Sequence, residues 1–152
     1  MGGRLIVIMT KNKKKRGFSL FELLIVISII GILTAVVSVA YSGAQKKTRD
    51  TRRVEDMKLV QTAAEQYYSQ NNYVYPSTTL ATGWTGVGGM AILNAFPVDP
   101  KNDATFYYSY QIGVTYCACA KVENIFNGNA INENCTFSVG ASGDYFCVKS
   151  QQ

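Results

Sequence analysis

Between Phe18 and Tyr41 the chain reads FSLFELLIVISIIGILTAVVSVAY, twenty-four residues with a single charge, Glu22. As an α-helix a run of this length measures about 36 Å, more than the roughly 30 Å of a bilayer's hydrocarbon core. It is apolar on every side, which suits lipid or the centre of an assembly. A chain of 152 residues has too little remaining protein to wrap such a helix as an ordinary soluble core. A secretory signal peptide is the competing reading, since a basic stretch precedes the run and Ser38-Val39-Ala40 offers a small-x-small site near its end. The run exceeds the usual apolar region of about 7–15 residues in such peptides.

After Tyr41 the pattern changes from uniformly apolar to periodic. Apolar positions recur at Ala44, Val54, Met57, Val60 or Gln61, Ala64, and Tyr67 with Tyr68. Steps of three and four define one face of a helix. Arg52 with Asp56 and Glu55 with Lys58 fall at ion-pair spacing on what reads as the wet side. No proline intervenes, so the pattern predicts one helix from Phe18 to Gln70, ended by Asn71, Asn72 and Pro76. Residues 77–95, rich in Gly, Thr and Ser, predict a surface loop with a short helix at Met90–Asn94. Gly86 to Gly89 lacks the Lys-Ser/Thr pair of a phosphate-binding loop. Phe96 to Asn102, with Pro97-Val98-Asp99-Pro100 inside it, predicts a turn. Aromatic and β-branched runs at Phe106–Ile112 and Val114–Val122 predict a hairpin around Gly113. Phe137–Val139 and Tyr145–Val148 predict a second pair of strands. The economical fold is α+β: a long N-terminal helix, half transmembrane and half amphipathic, packed on a small antiparallel sheet of three to four strands. Three regions follow: a basic segment over 1–17, the apolar helix over 18–41, and a stem and head over 42–152.

Charge sharpens this division. The net charge is +5, yet six of the fifteen basic residues (Arg4, Lys11, Lys13, Lys14, Lys15 and Arg16) precede Gly17, with no acidic residue among them. From Phe18 onward nine basic residues face ten acidic ones, so the rest of the chain is near neutral. A whole-chain argument for nucleic-acid binding from the basic balance therefore fails. Lys46, Lys47, Arg49, Arg52 and Arg53 form a local cluster that offers DNA or lipid phosphate a site, or else a solvated junction between membrane and head. Basic residues on both flanks leave orientation to Arg4, which favours the N-terminus inside. The chain has no His, which removes imidazole catalysis, His-dependent triads and most catalytic zinc sites. Nothing in it reads as an enzyme.

Glu22 is the anomaly in the apolar run. A carboxylate in a membrane helix costs about 2.5–3.5 kcal/mol at the bilayer centre and less near its edge, and such residues ordinarily have a partner. The nearest candidate is an N-terminal amine newly made close by. The segment Lys14-Lys15-Arg16-Gly17-Phe18-Ser19-Leu20-Phe21-Glu22-Leu23-Leu24-Ile25-Val26 resembles the N-terminus of type IV prepilins and of type II secretion pseudopilins. The shared features are a basic leader ending in Gly, then Phe, a small hydroxyl residue, Leu, an apolar residue and Glu fifth, followed by an apolar stretch with Gly31 and a closing Tyr41.

That resemblance implies a membrane-embedded prepilin peptidase that cuts between Gly17 and Phe18 and methylates the Phe18 amine. Glu22 then pairs with the Phe18 amine of a neighbouring subunit as the chain passes from the membrane, through an inner-membrane assembly platform, into a filament of like subunits and other pilins. The chain is then a single-pass inner-membrane protein that later stands in an extracellular or periplasmic filament. The leader of 17 residues is long for such proteins; MTKNKKKRG from Met9 is more typical, so Met1–Ile8 reads as an optional start. Val39 stands where many pilins carry a helix-kinking Pro, which predicts a straighter helix. The phrase Tyr67-Tyr68…Asn71-Asn72-Tyr73…Tyr75-Pro76 and the Pro-x-Asp-Pro turn also resemble these proteins. The cysteine-rich tail favours a pilin; the short head and that turn also suit a major-type pseudopilin. A monomeric membrane-anchored binding module is the rival of another class.

Cys117, Cys119, Cys135 and Cys147 lie in the last quarter of the chain. An all-cysteine metal site is one reading, but paired C-x2-C knuckles are missing. Their place beyond an export segment predicts disulfides. Cys117 and Cys119 share one strand face and are not expected to bond each other, which leaves two connectivities. Cys117–Cys147 with Cys119–Cys135 is preferred. No cofactor is predicted; Asp99, Asp103 and Asp144 are weighed for calcium, because some major pseudopilins bind it in their β region, although their spacing matches no calcium loop.

Overall fold

The computed structural model describes residues 17–77, 83–140 and 142–152. The basic segment before Gly17, and with it the leader and the question of Met9, lies outside the described residues, as does part of the loop read over 77–95. The chain divides into two units, Met1–Ala40 and Tyr41–Gln152. Helix α1, Leu20–Gln70, passes from the first into the second.

In the first unit the helix starts two residues later than the pattern predicts, because Ser19 serves as its N-cap. The Phe21 amide donates to Ser19 Oγ at 3.2 Å, and the Ser19 amide donates to Glu22 Oε2 at 2.9 Å. This reciprocal S-x-x-E arrangement is a capping box, which satisfies amides the first turn otherwise leaves orphaned. Ser28, Thr34 and Ser38 return their hydroxyls to the carbonyls of Leu24, Ile30 and Thr34, so the polar side chains of the run are satisfied within the helix itself. The large apolar residues from Phe18 to Val37 are exposed throughout, from 42% at Ile25 to 87% at Leu20.

In the second unit α1 buries a stripe. Met57, Val60, Ala63 and Ala64 are buried, and Tyr67 and Tyr68 pack against them. Ala44, read as part of that stripe, is exposed. The helix ends as expected: the Asn71 amide donates to Tyr67 O, and Asn72 and Tyr73 take left-handed backbone, with φ of 54° and 59°. Tyr73 is held edge-on against Tyr68, at 5.6 Å between ring centres.

Strands β3 (Tyr108–Ile112), β4 (Tyr116–Lys121) and β5 (Tyr145–Lys149) form an antiparallel sheet in that order, with the expected hairpin between β3 and β4. β4 is buried on both faces. Tyr116, Ala118 and Ala120 join the helix residues in the main core, and their alternates Cys117 and Cys119 join Ala130 and Cys147 in a second cluster. Small Ala side chains suit close approach of a helix to a sheet. Tyr75 and Tyr116 donate their hydroxyls to Glu65, and Tyr108 donates to Asp56 at 2.7 Å, so buried phenols are tied back to the stem helix.

Two predicted elements differ. The short helix at Met90–Asn94 is instead strand β2 (Ala91–Leu93), paired antiparallel with β1 (Trp84–Thr85). The pairing follows from Trp84, which is buried against Tyr67 and Phe96, and from Gly83, whose φ of 75° and close approach to the Leu93 carbonyl leave no room for a side chain. Phe137–Val139 is no strand; it makes a single bridge, Ala130 with Phe137. The free edge of β5 is already occupied, since Ala130 exchanges backbone bonds with Tyr145 and the Asn129 side chain bonds both the amide and the carbonyl of Cys147. An amide side chain thus stands in for a fourth strand and blunts the edge.

Candidate functional site

The residues that carry the N-terminal motif are brought together locally. Gly17, Phe18 and Ser19 are exposed and precede the helix, and Glu22 lies in its first turn. A Cβ on Gly17 meets nothing within 4 Å, so the fold of this chain places no demand for glycine there. Glu22 is occupied by the Ser19 amide, and a carboxylate at this end also complements the helix dipole. The segment thus presents an accessible peptide bond, an aromatic residue and a pre-oriented carboxylate within six residues, followed by a helix whose most apolar window has a mean hydropathy of 2.9 and no buried residue.

The basic cluster read over Lys46 to Arg53 is solvated at Lys46, Lys47 and Arg52, as its composition suggests, but not at Arg53. Asp50 and Arg53 are both 0% exposed. Arg53 Nε and Nη2 donate to Asp99 Oδ2 and Oδ1 at 2.6 and 3.0 Å, and its Nη1 donates to Asp50 and Glu123 at 2.9 and 3.1 Å. Arg49 makes its own fork to Glu123, at 2.5 and 2.7 Å. The Asp50 carboxylate accepts the amides of Glu123 and Asn124 and the side-chain amide of Asn127. Phe106 covers the Arg53 guanidinium at 4.7 Å. Among the described residues every buried side-chain nitrogen or oxygen has a partner, which a buried charge network requires. The hydrogen bond from Arg49 first, and then that from Arg53 against the opposing effect of burial, hold the Glu123 carboxyl at about 2. Burial pushes Asp99 upward, but the Arg53 hydrogen bond and the Lys101 amide outweigh it and leave the carboxyl below its usual range.

This cluster was missed because its members are polar. Positions 50, 53, 57, 60 and 64 nonetheless keep the same three-four spacing, so the buried stripe extends two steps beyond Met57. The opposite charges on those two steps were the available signal. Of the acids weighed for calcium, Asp99 is bound up with Arg53, and Asp103 accepts the amides of Thr105 and Phe106 in its own loop.

The four cysteines form two disulfides, Cys117–Cys135 and Cys119–Cys147. The preferred pairing was therefore the wrong one of the two considered. Register decides it: Cys119 lies directly opposite Cys147 across β4 and β5, with Cα atoms 4.1 Å apart, whereas Cys117 faces Lys149. Cys117 is left to staple the returning loop at Cys135, where the backbone is left-handed at φ 54°.

Over residues 12–38 the chain matches the family described as the prokaryotic N-terminal methylation motif. It is similar to a fimbrial protein of Pseudomonas aeruginosa, 37% identical over 67 residues, 44% of each chain. It is likewise similar to the type II secretion system core protein G of Escherichia coli, 34% identical over 70 residues, 46% of this chain and 48% of the relative. A third relative is the type IV major pilin protein PilA of Myxococcus xanthus, 33% identical over 61 residues, 40% of this chain and 28% of the relative. The chain thus spans less than half the length of these relatives. They are named as fimbrial, secretion-system and pilin proteins, none as an enzyme. No solved structure matches the chain.

Proposed function

We propose that this chain, which matches the prokaryotic N-terminal methylation motif and is similar to pilins and pseudopilins over its N-terminal part, is a pilin-like protein and a structural, non-enzymatic subunit of a pilus-like filament. In this reading a prepilin peptidase cleaves after Gly17 and methylates Phe18, and the subunit waits in the inner membrane through α1 until an assembly platform extracts it. The observation that carries the reading is the capped, fully exposed apolar helix that begins at the motif, with Glu22 as its one charge. A helix apolar on all sides needs lipid first and other subunits later. Outside the fold of the single chain Gly17 has a use as a cleavage position, and inside it has none. Burial of the Glu22 carboxylate against a neighbour's Phe18 amine offsets the cost of both charges only in good geometry, so the pair chiefly sets the register of packing.

The second reading is a major-type pseudopilin of a type II secretion system, favoured by the similarity to core protein G and by the Pro97–Pro100 turn that Arg53 clasps. Deletion of the gene separates the two. Loss of surface filaments sheared from cells supports the pilus; loss of exported enzymes from the medium with filaments intact supports the pseudopilus. If neither changes, both readings fall.

A further inference from the structure

One side of the second unit carries features that the filament reading does not use. The 3-10 turn Ile125–Asn127 exposes Phe126 at 76% and Ile125 at 49%. An exposed aromatic on a loose loop is unremarkable, but this turn is fixed. The buried Asp50 carboxylate holds it through Glu123, Asn124 and Asn127, and Asn124 caps it by accepting the Phe126 amide. Gly128 closes it where a Cβ would lie 1.9 Å from the Gly143 carbonyl. Beside the turn lies a groove of about 610 Å³ whose lining includes Gly43, Lys46, Lys47, Glu123, Ile125 and Asn127. Among the described residues the ion pairs of this cluster take up Arg49, Arg52 and Arg53, but not Lys46 or Lys47. Glu123, the acid of the groove, is already matched by Arg49 and Arg53. The groove therefore presents positive charge beside an ordered apolar tip.

Its position along the chain names the occupant. Lys46 follows Tyr41 by five residues of continuous helix, a rise of about 8 Å. The polar interface of a bilayer is about 5–7 Å deep on each side, and a lysine side chain adds its own reach. We propose that Ile125, Phe126, Lys46 and Lys47 form a membrane-contacting surface by which the head rests on an anionic phospholipid leaflet while α1 is still inserted. Phe126 and Ile125 enter the interface and the two lysines meet lipid phosphates. Each lysine near an anionic surface strengthens such contact about fivefold. The proposal rests on the membrane-anchored reading above. Contact of this surface with lipid is then an interaction that extraction of the chain must break.

The test uses the full chain reconstituted into vesicles of phosphatidylcholine, with and without phosphatidylglycerol, carrying bromines on the acyl chains as quenchers. F126W adds an indole at an exposed position, and the unaltered chain, whose single Trp84 is buried in the head core, supplies the reference emission. L24W reports insertion of the helix. The proposal expects the F126W emission to be quenched at least twofold when phosphatidylglycerol is present, and K46Q with K47Q to remove most of that effect. Quenching of L24W without quenching of F126W overturns the surface and leaves the anchored subunit standing. Failure of both overturns the anchored reading as well. Shielding of F126W only in assembled filaments assigns the surface to a second copy of the chain and also overturns the proposal.

Discussion

Arg53 of the stem helix and Asp99 of the Pro97–Pro100 turn meet fork to fork, at 2.6 and 3.0 Å, with both side chains fully withdrawn from water. Bidentate geometry of this kind fixes orientation as well as attraction. It ties the turn that precedes the sheet to the helix that crosses the core. Removing one partner strands the other as an uncompensated buried charge. R53A is therefore expected to destabilise the head by about 3–5 kcal/mol, read as a fall in the denaturant midpoint followed by Trp84 fluorescence. Replacing Lys58, exposed on the same helix, is expected to change the midpoint little. A change of less than about 1 kcal/mol for R53A means the network adds nothing beyond a surface pair.

The same network sets the response to acid. Glu123 in the folded head sits near 2, against an ordinary value of 4.5, and Asp99 also lies below its usual range. The folded state thus holds on to fewer protons than the unfolded chain. The resulting stability is present in full above about pH 4.5 and is lost as pH falls toward 2. E123Q is expected to flatten that part of the stability–pH profile. A profile equally steep with and without Glu123 contradicts the assignment.

Peptide mapping under non-reducing conditions is expected to recover Cys117 joined to Cys135 and Cys119 joined to Cys147. Opening either bridge costs about 2–4 kcal/mol, and chain entropy makes the 28-residue bridge worth about 0.4 kcal/mol more than the 18-residue one. Recovery of Cys117 joined to Cys147 rejects the register of β4 on β5.

Glu22 has two duties that substitution separates. In the single chain it accepts the Ser19 amide, and an uncharged Gln at that place still accepts it. E22Q is therefore expected to leave cleavage and membrane insertion near normal while filament yield falls at least tenfold, measured in sheared cell fractions. Normal yield removes the charge from assembly. S19A is expected to cost about 1 kcal/mol at the helix start and to fray it.

The sequence reading succeeded where one physical effect dominates. An unbroken apolar run, then a three-four stripe, place α1 almost to the residue, and alternation around Gly113 places β3 and β4. It failed where several parts of the chain decide together. Arg53 reads as wet because a lone charge is costly to bury; two of the acids that make its burial tolerable come from residues 99 and 123. The cysteine pairing turns on a register between β4 and β5, which alternation leaves open by two residues. Asn129 replaces a strand with a side chain, so Phe137–Val139 has β composition without a free edge to join. Met90–Asn94 becomes a strand because Trp84 and Gly83 supply its partner.

The central claim is that the chain is a processed, pilin-like filament subunit, and the N-terminus of the mature protein tests it most directly. Mass spectrometry of the protein recovered from sheared filaments or the cell envelope is expected to find a chain that begins at Phe18, one methyl group heavier than the unmodified sequence, with both disulfides closed. A mature chain that still carries Met1 or Met9, or that is cut after Ala40, contradicts it.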